Sequence, residues 1–139
     1  MILGSIKTGG RKGIETTLML AKIIIPVYIA VTILKYTPVL DFIAERFSPV
    51  MSIFGLPGEA ALILVLGNIL NIYAAIGAMS AVSLTAAEIS IIALMLSFSH
   101  SLLIETAVTR KLGVSSWKII LIRMGLAVMA GLILGRILI

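Results

Sequence analysis

Between Thr85 and Leu112 the chain runs 28 residues without a proline or a glycine, mostly apolar, with the polar cluster SFSHS at residues 97–101 near its middle. As one helix this run would be about 42 Å long at 1.5 Å per residue. The hydrocarbon core of a bilayer is only about 30 Å thick. So long an apolar helix is buried either in a large protein or in lipid, and composition decides between them. The chain has 139 residues, 12% of them charged and 60% hydrophobic, with a mean hydropathy of +1.22. A soluble domain carries about 25% charged residues to cover itself. The solvent is therefore lipid, and the fold class is an all-α integral membrane protein.

The remaining segments follow from the same measure. Residues 1–13, MILGSIKTGGRKG, form a basic N-terminal segment with Lys7, Arg11 and Lys12. The apolar stretch after it is broken by Lys22 and Pro26 and lacks a small-residue cleavage pattern, so it reads as retained. Residues 14–139 make a single membrane domain. A first span covers about 14–36, with Pro26 expected to kink it. Residues 38–54 open with Thr37-Pro38, an N-cap and first-turn pair, and interleave Asp41, Glu45 and Arg46 with apolar positions. That is an amphipathic interfacial helix, too short and too charged to cross. Thr85-Ala86-Ala87-Glu88 is a capping box that starts the span at about 85–112. The last span, about 116–139, follows Ser115-Ser116 and carries Trp117 and Lys118 as interfacial anchors.

Residues 57–82 admit two readings. They can form one plain crossing, or a re-entrant helical hairpin whose first half-helix runs from about Glu59 to Leu66 and turns at Gly67-Asn68 in mid-membrane. The second reading relieves the cost of placing Asn68 and Asn71 against lipid. The chain then crosses three times, and one of its spans is broken. Lys7, Arg11, Lys12, Arg110, Lys111 and Lys118 fall on one side against Lys35, Arg46 and Arg136 on the other. The excess predicts a cytoplasmic N-terminus in the cell, or inner, membrane.

Polar and ionisable residues at membrane depth mark the candidate site. Ser97, Ser99 and Ser101 either bond back to their own helix or surround an unwound stretch whose freed groups hold a cation or polar solute. His100 adds a group that takes a proton near neutral pH. Glu59, at the start of the half-helix, is either a carboxylate favoured by the helix dipole or a ligand contact. Glu88 serves the capping box. Asn68, Asn71, Ser99, His100 and Glu105 can converge on a small polar solute, and Glu105 alternatively faces Arg123. Ser97, Ser99, Ser101 and Asn68 are the ion-binding candidates. No zinc-ligand pattern, nucleophile elbow or phosphate loop occurs, so the residues point away from an enzyme. The basic residues are not interleaved with stacking aromatics, which points away from nucleic acid. With no cysteine there is no disulfide framework or thiolate metal site.

The stretches GLPGEAALILVLGN and SFSHSLLIETAV resemble the Gate, or nucleoside recognition, domain family, which includes the spore maturation proteins A and B and segments of ferrous iron transporter B. The order of elements is also similar to one repeat of a concentrative nucleoside transporter. The resemblance implies that Glu59, Asn68 and Ser97 to Ser101 lie where those transporters bind nucleoside and coupling cation. It implies a half-size secondary transporter for a nucleoside or nucleobase, without a cofactor and coupled to Na+ or H+. A single three-crossing repeat needs an inverted second half, hence an antiparallel homodimer or a paralogous partner chain. The competing expectation is a structural or regulatory membrane module that transports nothing.

Overall fold

The computed structural model describes residues 2–113 and 115–139, with side chains from Gly4 onward apart from residue 114. All the described elements are helical. They are α1 (Ile2–Lys35), α2 (Pro38–Met51) followed by a 3₁₀ turn (Ser52–Phe54), α3 (Ala60–Ile69), α4 (Ile72–Ala81), α5 (Ala86–Ser99), α6 (Leu102–Lys111) and α7 (Ser116–Leu138). Three stretches are long and apolar enough to cross a membrane: Gly4–Lys35, Ala86–Lys111 and Ser116–Leu138.

α1 begins earlier than the span read from the sequence. It takes in the basic N-terminal segment from Ile2, and Pro26 stands inside it without ending it. Arg11 Nε donates to Glu15 Oε1 at 2.7 Å, one turn apart, which adds local support where several glycines offer little. α2 starts with Pro38 at its first position, as expected, but the Thr37 hydroxyl turns back to the Leu34 carbonyl at 2.8 Å instead of capping α2.

α3 and α4 are each about 15 Å long at 10 residues, half of what a crossing needs. They pack on one another, α4 also lies along α1, and α3 touches α2, α5 and α6. Small residues allow this density. Ala74, Ala75 and Ala78 of α4 are fully buried, and a Cβ at Gly77 would stand 2.8 Å from the Ile24 carbonyl oxygen of α1. The centre of the core is Ile63, Ile91, Ile92 and Leu96, where α3 meets α5.

α5 begins with the predicted capping box. The Thr85 N–H donates to Glu88 Oε2 at 2.6 Å, and the Glu88 N–H donates to Thr85 Oγ1 at 3.3 Å. α7 then lies along α5 with the buried seam Ala127, Gly131 and Gly135, spaced four apart on one face. Small residues at that spacing let membrane helices approach closely. The rest of α7 and most of α1 turn large apolar side chains outward, including Ile14, Leu18, Ile122 and Ile133.

Candidate functional site

The span from Ala86 to Lys111 is interrupted at two residues. His100 has φ −59° and ψ 154°, and Ser101 has φ 54° and ψ 36°. Among the described residues Ser101 is the one non-glycine at positive φ. An L-residue in this left-handed region costs about 1–2 kcal/mol, so neighbours must hold it there. The break is narrower than the expected Ser97 to Ser101 stretch. Ser97 and Ser99 remain helical, and their hydroxyls donate to the Ala93 and Met95 carbonyls at 2.8 and 3.0 Å. These bonds stay within α5, which is how serines in apolar helices commonly satisfy themselves. Ser99 is almost wholly buried.

One support comes from α3. The Ser101 N–H donates to the Gly67 carbonyl at 3.0 Å. That carbonyl lies in the last turn of α3, where acceptors lose their intrahelical donors. The turn between α3 and α4 falls at Leu70-Asn71 and not at Gly67-Asn68, because both of the latter residues are still helical. Asn71 makes the turn: its side-chain oxygen accepts the Ala74 N–H at 3.0 Å and caps α4. Gly67 has a different task. A Cβ there would stand 2.6 Å from Leu96 Cδ2, so the missing side chain is what lets α3 close on α5.

The second support is Arg123 of α7. Its Nε donates to the Phe98 carbonyl at 2.6 Å and its Nη2 to the His100 carbonyl at 3.2 Å. An unbroken helix would fill these two acceptors with the N–H groups of Leu102 and Ile104. Its Nη1 bonds and pairs with Glu105 Oε2. The charges are placed to suit the two helix ends, a cation at the C-terminus of α5 and a carboxylate in the first turn of α6. Arg123 is only 17% exposed, and the three acceptors together account for its tolerance at this depth.

His100 completes the group. Its Nδ1 lies 2.8 Å from the Leu96 carbonyl, which can only accept, so Nδ1 carries a proton. Nε2 then faces Glu105 Oε1 at 3.8 Å, a charge pair when the ring is protonated. The sequence offered Arg123 as a cation within a span and as an alternative partner for Glu105, and that pair forms. Its role as donor to the freed carbonyls of a broken helix, 23 and 25 residues upstream, has no local signal.

Asn68 faces another way. Its Nδ2 donates to the Leu64 carbonyl at 2.7 Å, and its Oδ1 is buried without a partner. It lines a cleft of about 320 Å³ with Phe47, Val50, Met51, Leu102 and Met124 among its walls. Leu102 opens α6, so this cleft adjoins the break. Glu59 is not brought to the group. It sits at the start of α3, nine residues from Asn68, about 13 Å along the helix. There it lines a separate cavity of about 290 Å³ with Lys35, Asp41 and Ser83. The structure thus gathers His100, Ser101, Glu105 and Arg123, sets Asn68 beside them, uses Asn71 as a cap, and leaves Glu59 apart. Among the described residues no three His, Cys, Asp or Glu side chains are grouped to hold a metal ion.

Comparison with known proteins bears on the same region. The family model Gate, described as nucleoside recognition, matches residues 17–115, which include α3, α4 and the interruption between α5 and α6. The chain is 45% identical over 125 residues to the uncharacterized membrane protein YvoD of Bacillus subtilis (strain 168). The match takes in 90% of this chain and 40% of that protein, so the chain spans well under half the length of this relative. No solved structure matches.

Proposed function

The chain belongs to the Gate, or nucleoside recognition, family and is a multi-pass membrane protein, and from that premise we propose that it is half of a secondary transporter for a small polar solute, a nucleoside or nucleobase. The observation that carries this reading is the contact between two helix ends, Ser101 N–H to Gly67 carbonyl, beside a histidine and a carboxylate of the interrupted span and a guanidinium of α7. Transporters build solute sites where discontinuous helices meet near the bilayer midplane. In this reading α3 and α4, each of half-membrane length, form a re-entrant hairpin, and α2 lies in the interface. The N-terminus is cytoplasmic in the cell membrane. Three crossings then require an inverted second half, supplied by an antiparallel copy or a paralogous chain.

Asn68, Ser99, His100 and Glu105 contact the solute in this proposal, with Asn71 and Glu59 at the two ends of the hairpin helices. The coupling ion is a proton in preference to sodium. Arg123 already donates to the carbonyls of Phe98 and His100, which leaves a sodium ion fewer free carbonyl oxygens at the break. His100 Nε2 facing Glu105 supplies a place for the proton.

A second reading has an observation of its own. Arg123, Glu105, Ser97 and Ser99 all find partners inside the chain, as they would in a structural or regulatory membrane module. Uptake into proteoliposomes separates the two. A panel of radiolabelled nucleosides and nucleobases is offered under an inward proton gradient, an inward sodium gradient, or neither. Proton-driven uptake that His100→Ala and Asn68→Ala abolish, with both variants still assembled, is the expected result. Absence of uptake for the whole panel under both gradients overturns the transporter reading in favour of the module.

A further inference from the structure

The corner between α6 and α7 holds a second group of polar atoms, remote in role from the break. A cleft of about 470 Å³ is lined there by Thr106, Arg110, Ser115, Ser116, Trp117 and Ile120. Arg110 has no side-chain ion pair or hydrogen bond among the described residues. Ser116 is also in the lining, and its hydroxyl oxygen is buried and has no partner. Ser115 stands at the N-cap position of α7, yet its side chain makes no capping bond. The first N–H groups of this 23-residue helix are therefore without a side-chain acceptor. Every unmet group here is a donor or can act as one, and Arg110 brings a full positive charge. Lys111 and Lys118 lie alongside in sequence, and no acidic residue follows Glu105. What would satisfy all of them is an oxyanion with several acceptor oxygens.

Its source follows from the position. The corner joins two segments long and apolar enough to cross a membrane, so it lies where both emerge. Trp117 is 68% exposed, as an indole in the headgroup layer would be. Ile120 lies in the lining, and the exposed Leu121 next to it and Leu112 two residues after Arg110 offer apolar surface beside the charge. Basic pockets between membrane helices bind anionic headgroups in this manner. We propose that the α6–α7 cleft is a phosphate site, occupied by the headgroup of an anionic phospholipid, with Arg110 and the Ser116 hydroxyl as its principal contacts. The site is independent of whether the chain transports anything.

The test uses the full chain, purified in detergent and stripped of lipid. Its thermal midpoint is followed while phosphatidylglycerol, phosphatidylcholine or inorganic phosphate is added. Phosphatidylglycerol is expected to stabilise saturably and at lower concentration than phosphatidylcholine. Arg110→Gln is expected to raise the concentration for half effect about tenfold, the loss of one charge-assisted contact. Lys22→Gln, which removes a cation elsewhere, leaves the response unchanged. Should Arg110→Gln not fold, Arg110→Lys and Ser116→Ala are read in the same way, each weakening the lipid response. Equal stabilisation by inorganic phosphate, lost in the same variants, assigns the cleft to a soluble anion and overturns the lipid. A response without saturation, or one that Arg110 substitutions do not move, overturns the site.

Discussion

The backbone N–H of Ser101 donates to the carbonyl of Gly67 across 3.0 Å, joining the interruption between α5 and α6 to the last turn of α3. Each helix end satisfies a group the other leaves open. Ser101 gains a partner in a strained conformation, and α3 gains a donor for an orphan acceptor. The contact depends on Gly67 having no side chain, since α3 otherwise meets Leu96 too early.

Gly67→Ala should therefore lower stability by about 1–3 kcal/mol through overpacking. A Cβ there stands 2.6 Å from Leu96 Cδ2 and 3.1 Å from Ala75 Cβ. Gly4→Ala, with open space around it, should be neutral or mildly stabilising. Thermal unfolding in detergent compares the two. An equal effect at both positions would rule out the close approach of α3 and α5.

Ser101→Gly should be tolerated or stabilise by about 1 kcal/mol, because glycine occupies φ 54° without the Cβ penalty. Ser101→Val should destabilise, since a β-branched residue at positive φ is an outlier. If both substitutions act alike, the helix runs through without a break.

Arg123→Gln and Glu105→Gln should each destabilise, and the double variant should recover part of the loss. Removing one partner strands the other charge, whereas removing both does not. Glu105 is 42% exposed, which moderates the effect. A coupling energy of about 0.5–3 kcal/mol is expected for residues in direct contact. Strict additivity in the double-variant cycle would show that the pair does not form.

In α7, Gly135→Ala should cost more than Gly125→Ala. The added Cβ at Gly135 would reach 2.4 Å from the Phe54 carbonyl oxygen, a backbone atom that cannot move aside, while Gly125 faces open space. Midpoints of thermal unfolding in one detergent suffice for the comparison.

Local pattern alone carried much of this protein. The apolar run lengths marked the three long segments, the Thr85–Glu88 spacing marked the start of α5, and four polar groups in five residues marked the interrupted span. These are legible because helix length, capping and burial are written within a few residues of one another. Tertiary structure decided the rest. It narrowed the break to His100 and Ser101, because the serines at 97 and 99 found carbonyls one turn back. It placed the turn between α3 and α4 at Leu70-Asn71 and not at Gly67-Asn68, since Gly67 lets α3 close on α5 and Asn71 caps α4. It kept Glu59 apart by the length of a helix, and it drew Arg123 onto acceptors 23 and 25 residues upstream. A broken helix is specified by whatever satisfies its freed carbonyls, and here that partner arrives from another helix, beyond the reach of any local period or motif.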